Sequence, residues 1–371
     1  MSGRLRIAVP IHSFEPGGVE RVALNLAAAW QAGGAEVSVL LGREAGAMQQ
    51  TAPKLAYVVR PEPIPTAAFE TLWLIWTAWR WLRNNRVDVL FAAGNTYAIV
   101  GIALKLLLGA RCPPIAIKIS NDLARRDLPA PARWFYHRWL RVQGRWLDHF
   151  VGMAAPMRAE IAAALRVNDD RIAIIEDPAL EAAQFAALAA IPREPALPRA
   201  PRYVAVGRLA GQKNFPLLLC GFARLTDPAA RLVIVGEGGE RAKLERLAEQ
   251  LGIAERLSLP GHCDPLPHLA AASAFALSSD YEGVPAVVIE ALAAGLPIAG
   301  TDCSVSMPAL TGHGAFGALV PIRDADALAG AMQHVLTMPF DPAAARSATQ
   351  PFTIEAAAAR YRALFAQVAD R

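Results

Sequence analysis

Residues 278–302 read SSDYEGVPAVVIEALAAGLPIAGTD, and this stretch shows the unit from which the whole fold is built. An apolar strand ending at Ser279 is followed by turn residues and by Pro285, which suits the first turn of a helix because its missing N–H is not needed there. The helix runs as far as Ala294 and stops at Gly295, a typical C-terminal residue, before a second apolar strand begins. A strand, a helix and a strand in this order predict two parallel strands joined by a crossover helix.

The same alternation extends over the rest of the chain. Short apolar, β-branched runs predict strands at 6–11, 35–41, 87–93, 114–120, 148–154 and 171–176, and again at 202–207, 231–236, 256–261, 273–279 and 296–302. Segments of helical period separate the strands of the first half, at 18–32, 66–84, 95–108, 131–147 and 155–166. We therefore predict an α/β protein with two doubly wound parallel sheets, whose ligands bind outside the carboxyl ends of the strands.

A proline-rich seam separates the two halves. Residues 181–201 hold four prolines within eleven residues, and proline continues neither a helix nor a central strand. The predicted organisation is an N-terminal Rossmann-like domain at 1–185, a linker at 186–201, a C-terminal Rossmann-like domain at 202–351 and a final helix in 352–371 that packs back on the first domain. We expect the two domains to face each other across a central cleft that holds the chemistry.

The composition excludes several classes of protein. The chain has 371 residues, of which 54% are hydrophobic and 19% are charged, so it is not a largely disordered protein. No apolar run reaches the roughly 18–20 residues that span a bilayer. The start MSGRLR leads directly into a strand, so we expect no signal peptide. The four cysteines form no C-x-x-C pair, which predicts neither a disulfide framework nor a zinc site.

Positive charge is concentrated in residues 101–150. This block holds nine Lys or Arg against three acidic residues, whereas the rest of the chain sums to −2, and such a field favours an anionic partner. Residues 69–86 and 133–146 also mix Trp with Arg at helical spacing, as helices at a bilayer interface do. We predict contact with an anionic membrane surface through 125–146, while an apolar face against the sheet explains 69–86 better. No nucleic-acid-binding module is visible.

Two carboxylates flank the start of the helix in 278–302. Glu282 lies in the loop before the helix, and Glu290 lies five residues past Pro285, about 7.5 Å further along the axis. Helix N-termini attract anions, so the two carboxylates could hydrogen-bond hydroxyl groups on either side of a docked anion. A surface glutamate and an ordinary helix-face glutamate explain the spacing equally well.

The pattern E-G-x-P-x-x-x-x-E-A-x-A-x-G-x-P at 282–297 resembles the donor-site signature of the retaining family 4 glycosyltransferases, which have the two-domain GT-B fold. Residues 15–27, 206–225 and 232–253 resemble further segments of that family, in the expected order. The resemblance implies transfer of a sugar from a nucleotide diphosphate-sugar with retention of configuration, and it implies neither a divalent metal nor a cofactor.

The resemblance also implies roles for individual residues. Arg208 and Lys213 would act in catalysis, because they neutralise the donor diphosphate while it becomes the leaving group. Glu282 would also act in catalysis and contact the transferred sugar, and Glu290 would bind the ribose of the donor. The other donor-binding residues would be Gly17, Gly18, His262, Gly283, Val284 and Pro285. Structural explanations stay open for three of them, because Gly17 and Gly18 suit an ordinary strand-to-helix turn and His262 suits a polar loop.

Two segments depart from the family pattern. Many relatives have a histidine after the strand equivalent to 114–120, where this chain has SNDLARRD with Asn121 and Asp122. These two residues and His12, which follows the first strand, are candidates for contacts with the acceptor or the sugar. In 301–310 relatives often have paired glycines and a glutamate, whereas this chain reads TDCSVSMPAL and lacks the usual anchor of that loop.

The sequence therefore predicts a hexosyl- or N-acetylhexosaminyl-type retaining glycosyltransferase. The donor would be a UDP-sugar in preference to a GDP-sugar, and the acceptor a hydroxyl of a glycan or lipid-linked molecule in bacterial-type surface polysaccharide, lipopolysaccharide or glycolipid synthesis. We expect a cytoplasmic protein, peripheral at the inner face of the cell membrane, with no nucleic-acid partner. The alternatives are another nucleotide-sugar enzyme of this fold, such as an epimerase or phosphorylase, and a non-catalytic nucleotide-sugar-binding partner of a transferase.

Overall fold

The computed structural model describes residues 4–15, 17–62, 64–120, 123, 125, 129–193 and 200–369. These residues form two compact units, one made of Met1–Pro178 with Ile354–Arg371 and the other of Ala179–Thr353. Each unit is an α/β structure built on its own parallel sheet, which confirms the predicted fold class.

Unit 1 contains a seven-stranded sheet in the order β3-β2-β1-β4-β5-β6-β7, and all its strand pairs are parallel. Its elements up to Pro178 are β1 Arg6–Ile11, α1 Gly18–Ala32, β2 Glu36–Leu41, β3 Ala56–Val58, α2 Glu70–Leu82, β4 Val89–Ala92, α3 Ala98–Leu108, β5 Ile115–Lys118, α4 Ala130–Trp146, β6 His149–Gly152, α5 Met157–Leu165 and β7 Ile172–Ile174. The central strands are buried on both faces, as their continuous apolar runs require.

Unit 2 contains a six-stranded parallel sheet in the order β10-β9-β8-β11-β12-β13. Its elements are α6 Ala182–Ala189, β8 Arg202–Val206, α7 Phe215–Ala223, β9 Arg231–Val235, α8 Arg241–Gln250, β10 Leu257–Gly261, α9 Leu266–Ala271, β11 Ala274–Leu277, α10 Ala286–Ala293, β12 Ile298–Thr301, α11 Met307–Leu310, β13 Gly317–Val320, α12 Ala325–His334 and α13 Pro342–Thr349. One core lies on each face of this sheet. The strand order reverses between β8 and β11, which is where doubly wound sheets bind ligands.

The final helix, α14 Ile354–Ala369, belongs to unit 1 and packs against α1. Its anchor is Trp30 of α1, a fully buried side chain whose indole N–H donates to the carbonyl of Ala358 at 3.1 Å. The same ring meets Tyr361 and Phe365 of α14 edge-on, with centroids 5.8 and 5.2 Å away, and Phe91 of β4 at 5.2 Å. The far end of the chain therefore completes the core of the first unit.

The boundaries between the units differ from the predicted ones. Unit 1 ends at Pro178 rather than 185, and a helix, α6, occupies the predicted seam. The segment belongs to unit 2 because the N–H groups of Ala179 and Leu180 both donate to the carbonyl of Phe352, at 2.9 and 3.1 Å, and because α6 packs against α10. The sequence analysis also missed the two short edge strands β3 and β13, whose three and four residues form no strong apolar run.

No helix in the described part of the chain is both long and apolar enough to cross a membrane.

We predict that Trp30→Ala lowers the free energy of unfolding of unit 1 by about 3–5 kcal/mol, because it leaves a cavity among three aromatic rings and removes the hydrogen bond to α14. Trp134→Ala is the matched control, since that side chain is 57% exposed and its loss should lower the free energy of unfolding far less than the loss of the fully buried Trp30. Urea unfolding followed by circular dichroism measures both, and equal effects of the two substitutions would contradict the anchoring role of Trp30.

Candidate active site

The candidate site of unit 2 lies where three neighbouring strands end. The chain leaves β8 at Gly207, β11 at Ser278 and β12 at Asp302, and these strands are adjacent and parallel. Because parallel strands end at the same edge, the loops that follow them meet there. The predicted residues Arg208, Lys213 and Glu282 all belong to two of these loops.

An ion pair joins the first two loops. Lys213 Nζ lies 2.6 Å from Glu282 Oε1, and the two side chains are only 19% and 11% exposed. The hydroxyl of Ser279 donates to the same carboxylate oxygen at 2.8 Å, while Gln212 Nε2 lies 3.4 Å from the other oxygen. The carboxylate of Glu282 is therefore held by a cation and by two neutral donors.

Backbone and side-chain contacts fix the loop that carries Lys213. The hydroxyl of Ser278 donates to the carbonyl of Lys213 at 2.8 Å, and the N–H of Asp280 donates to the carbonyl of Gln212 at 2.9 Å. The lysine side chain runs over Gly207, where a Cβ would lie 3.1 Å from its Cε atom. A residue larger than glycine at position 207 would therefore crowd the lysine side chain on its way to Glu282.

Asn214 and Asp280 form a second link between the same loops. Asn214 adopts a left-handed conformation with φ of 44° before α7, and its amide donates to Asp280 Oδ1 at 2.8 Å. Arg323 donates to Asp280 Oδ2 at 2.8 and 3.2 Å. Burial raises the pKa of Asp280, but the hydrogen bonds from Arg323 and Asn214 outweigh it and leave the pKa below its ordinary value. Asp280 therefore stays ionised as a structural anchor.

The loop after β9 approaches the loop after β8 through glycines. Gly236 has φ of 150°, and a Cβ there would lie 1.9 Å from the carbonyl oxygen of Gly207. A Cβ at Gly238 would lie 2.4 Å from the carbonyl oxygen of Leu209. These glycines allow close contact between backbones, which any side chain would prevent.

Arg208 follows β8 directly and is exposed. Within the described ranges no carboxylate forms an ion pair with its guanidinium. In contrast to Lys213, it offers a cation at the sheet edge that another side chain does not already neutralise.

The predicted helix of the signature is α10, which begins at Ala286 and is preceded by Pro285 in an extended conformation. Pro285 was predicted to lie in the first turn, so the helix starts one residue later than expected. Glu290 is half-buried in this helix, and the amide of Gln184 in α6 donates to it at 3.3 Å. The sequence analysis missed Gln184, because nothing in the proline-rich seam marked it as a neighbour of Glu290.

The loop after β12 holds the backbone at the start of the signature. The N–H of Glu282 donates to the carbonyl of Cys303 at 3.1 Å. The carbonyl of Gly283 accepts hydrogen bonds from the hydroxyls of Ser304 and Ser306, the latter at 2.9 Å. These serines belong to the segment TDCSVSMPAL, where the chain departs from the family pattern and where no role was predicted for them.

His262 follows β10 at the same edge of the sheet and is exposed. β10 lies two strand positions from β8, and among the residues that the structure describes no hydrogen bond or ion pair joins His262 to Lys213 or Glu282.

His12 of unit 1 lies in a separate polar cluster after β1. Its Nε2 atom is 3.1 Å from the hydroxyl of Thr71, and its ring stacks on Tyr97 with centroids 4.7 Å apart. The buried Tyr97 hydroxyl accepts a hydrogen bond from the backbone N–H of His12 at 3.2 Å and donates to the carboxylate of Glu20 at 2.8 Å. Burial lowers the pKa of His12, while Glu70 and Glu20 oppose the shift, so the imidazole is neutral at pH 7.

The predicted glycine loop of unit 1 leads into α1. Gly17 precedes the helix, and a Cβ there would lie 2.1 Å from a carboxylate oxygen of Glu20, whereas a Cβ at Gly18 would meet open space. The glycine at position 17 therefore makes room for Glu20. The candidates Asn121 and Asp122 lie outside the described residues.

Metal ligands are not grouped in the described part of the chain, where no three His, Cys, Asp or Glu side chains come together as a metal site needs.

Two family models match the chain, one on each unit. The model described as "Glycosyltransferase Family 4" matches residues 16–178, and the model described as "Glycosyl transferases group 1" matches residues 190–350.

Curated relatives match shorter segments. The chain is 34% identical over 138 residues to the lipopolysaccharide core biosynthesis glycosyltransferase LpsE of Rhizobium meliloti, which is 37% of this chain and 40% of that protein. It is 34% identical over 135 residues to a 4-alpha-N-acetylgalactosaminyltransferase of Campylobacter jejuni that acts on N-acetylgalactosamine-N,N'-diacetylbacillosaminyl-diphospho-undecaprenol. This match covers 36% of each of the two chains. The matched segments thus span less than half of these relatives' own length.

Solved structures match the whole fold. The apo form of the lipopolysaccharide outer core galactosyltransferase WaaB has a TM-score of 0.77 at 17% identity, covering 98% of this chain and all of that one. HepE of Anabaena in complex with UDP has a TM-score of 0.75 at 16% identity and 98% and 100% coverage. With a family model on each unit and this common fold, the chain belongs to the family 4, group 1 glycosyltransferases and has the GT-B fold that its sequence predicted.

Proposed function

We propose that this chain is a retaining glycosyltransferase that moves a hexosyl or N-acetylhexosaminyl group from a UDP-sugar, in preference to a GDP-sugar, to a hydroxyl of a glycan or lipid-linked acceptor. The reaction would belong to bacterial-type surface polysaccharide, lipopolysaccharide or glycolipid synthesis, and the relative LpsE is a glycosyltransferase of lipopolysaccharide core biosynthesis. The solved complexes of HepE with UDP and UDP-glucose support a uridine donor. The observation that carries the proposal is the Lys213–Glu282 pair at the carboxyl edge of the sheet.

Unit 2 would bind the donor. The ammonium of Lys213 has three N–H donors and gives one to Glu282, so two remain for the phosphate oxygens. Arg208 adds a second cation, and the start of α10 adds backbone N–H groups and the positive end of a helix dipole. His262 and Glu290 would bind the base and the ribose. Unit 1 would contribute the Gly17–Gly18 turn to the donor diphosphate and His12 to the sugar or the acceptor.

The chemical step follows from these positions. The acceptor hydroxyl attacks the anomeric carbon from the face that the diphosphate leaves, so the bond from carbon to phosphate oxygen breaks while the glycosidic bond forms. The proton of the acceptor passes to the leaving phosphate oxygen. Negative charge grows on the diphosphate in the transition state, and Arg208 and Lys213 stabilise it without a divalent metal. Glu282 would orient the transferred sugar and not attack it.

Two other functions use the same site. An epimerase of this fold would convert the nucleotide sugar without a glycosyl acceptor, and a phosphorylase would transfer the glycosyl group to inorganic phosphate. A non-catalytic partner of a transferase would bind the nucleotide and turn over nothing. The similarity to transferases such as LpsE favours glycosyl transfer over both.

We also propose that the protein is peripheral at the inner face of the cell membrane, and exposed apolar side chains of unit 1 support this proposal. Helices α2, α3 and α4 pack side by side. They carry nine of the thirteen large apolar side chains that are exposed in the described residues: Leu72, Trp76, Ile99, Leu106, Leu107, Trp134, Phe135, Val142 and Trp146. We call these nine side chains the α2–α4 patch. Exposed apolar surface of this extent marks a binding face.

The charges around the α2–α4 patch point to an anionic bilayer. The three helices carry six Lys or Arg and one acidic residue. On α4, the strongly exposed Trp134 and Phe135 alternate with arginines, and the guanidinium of Arg138 stacks 5.2 Å from the centroid of Trp134. Aromatic rings that enter the interface, beside arginines that meet lipid phosphates, form an interfacial helix.

We predict that UDP stabilises the protein in a thermal-shift assay, with or without EDTA. A site filled at 100 times its Kd adds about 2.7 kcal/mol, which gives a clear rise in Tm. Glu290→Ala should abolish the rise because it removes the ribose contact, and Glu249→Ala, which changes an exposed glutamate of α8, should keep it. Absence of a shift with any nucleoside diphosphate at millimolar concentration would overturn the donor site, and a shift that requires a divalent ion would overturn metal independence.

We predict that Lys213→Ala lowers turnover about 100-fold or more, the scale of losing one group that stabilises a developing oxyanion. Lys243→Ala is the matched control, because Lys243 is exposed and also pairs with a glutamate, Glu240, at 3.3 Å. Turnover is measured as release of UDP, with and without acceptor. Near-normal turnover of Lys213→Ala would contradict the proposed role. Conversion of the nucleotide sugar without acceptor would identify an epimerase, and glycosyl transfer that requires inorganic phosphate would identify a phosphorylase.

We predict that the protein binds vesicles containing phosphatidylglycerol, more strongly than pure phosphatidylcholine, and that salt weakens the binding. Arg138→Ala with Arg141→Ala should weaken it about tenfold or more, since each basic residue near the surface contributes about 1 kcal/mol. The control, Arg202→Ala with Arg246→Ala, removes two exposed arginines of unit 2. Co-sedimentation measures the binding, and equal losses in the two variants, or no binding at all, would contradict the proposed surface.

A further inference from the structure

The loop after β12 binds a single carbonyl group with two hydroxyls. Ser304 and Ser306 both donate to the carbonyl oxygen of Gly283, and that oxygen has two lone pairs to accept them. The N–H of Ser306 donates to the hydroxyl oxygen of Ser304 at 3.2 Å, which leaves the Ser304 proton free for Gly283. This arrangement occurs in TDCSVSMPAL, the segment where the chain departs from the family pattern.

Fixing this carbonyl also fixes an N–H group. The carbonyl of Gly283 and the N–H of Val284 belong to one peptide unit, and a planar trans unit points them in opposite directions. Among the described residues no acceptor takes the N–H of Val284. The serines therefore hold a free backbone donor pointing away from their own loop, just before the N-terminus of α10.

The preceding residue is held by the same loop. The N–H of Glu282 donates to the carbonyl of Cys303, and the side chain of Glu282 is bound to Lys213 and Ser279. The Gly283–Val284 peptide thus follows a residue whose backbone and side chain are both fixed. Without the serines, rotation of this one peptide would turn the Val284 N–H away, because a glycine at position 283 restricts the rotation little.

We propose that Ser304 and Ser306 are positioning residues that direct the Val284 N–H at the β-phosphate of the nucleotide donor. The inference rests on the proposed donor site and adds to it residues that touch no ligand. It also predicts how the chain replaces the anchor that its relatives have in this segment, because two serine hydroxyls hold one carbonyl group in place.

The test compares a nucleoside diphosphate with its monophosphate, UDP with UMP and GDP with GMP, by isothermal titration calorimetry. Only the diphosphate carries the β-phosphate, so loss of the Val284 N–H contact weakens the binding of UDP and leaves the binding of UMP unchanged. We expect the double variant Ser304→Ala with Ser306→Ala to lower the affinity for UDP about tenfold, which is the scale of one hydrogen bond to a charged group. Its affinity for UMP should equal that of the wild type. Ser306→Ala with Ser304→Thr should restore most of the affinity, because one hydroxyl remains.

The outcomes separate the inference from the proposed function. If the wild type binds no nucleotide, the donor site itself is wrong. If the wild type binds UDP and the double variant binds it equally well, or loses UDP and UMP to the same extent, the positioning role is wrong and the serines only close the loop. Thr337→Ala controls for a lost hydroxyl-to-carbonyl bond elsewhere in unit 2, where Thr337 donates to His334 at 3.1 Å. Should the double variant fail to fold, Ser304→Cys with Ser306→Cys makes the same comparison, because it keeps the size of both side chains and replaces both hydroxyls with weakly donating thiols.

Discussion

The carboxylate of Glu282 is the constraint on which the candidate site depends. A carboxylate that is only 11% exposed would carry an uncompensated desolvation cost if its cation were absent, so the loop with Glu282 and the loop with Lys213 keep their conformations together. Ser279 contributes the remaining hydrogen bond to the same oxygen, and it directly follows Ser278, whose hydroxyl holds the carbonyl of Lys213. One ion pair thus converts two separate loops into a single rigid edge.

The glycines extend that edge to the next strand. The chain after β9 runs so close to the chain after β8 that any side chain at Gly236 would overlap the carbonyl of Gly207. The side chain of Lys213 lies over the same Gly207, so it belongs to this close-packed edge. Groups that stabilise charge in a transition state are effective when they need no rearrangement during the reaction, and a close-packed edge of this kind provides that condition.

The fold was predictable because its signals are local. Every predicted strand is present, since a strand buried in a parallel sheet is a short apolar run wherever it occurs. The short edge strand Ala56–Val58 and the helix Ala182–Ala189 were missed, because the first is too short to show a pattern and the second lies beside prolines that favour a linker. In the site, the resemblance to the family pattern singled out Glu282 and Lys213 as candidates, but Ser304 and Gln184 are recognised only from contacts between distant segments.

The charge balance of the site explains why its backbone matters. Lys213 is already neutralised by Glu282 and Arg323 by Asp280, so in the described residues Arg208 is the cation at this edge without a carboxylate partner. A diphosphate carries more negative charge than one arginine can balance. In the proposed function, the remaining stabilisation comes from the two N–H bonds of Lys213 that Glu282 does not take and from the N–H groups at the start of α10. Backbone donors help only when their direction is fixed, and at Gly283 the two serine hydroxyls fix that direction.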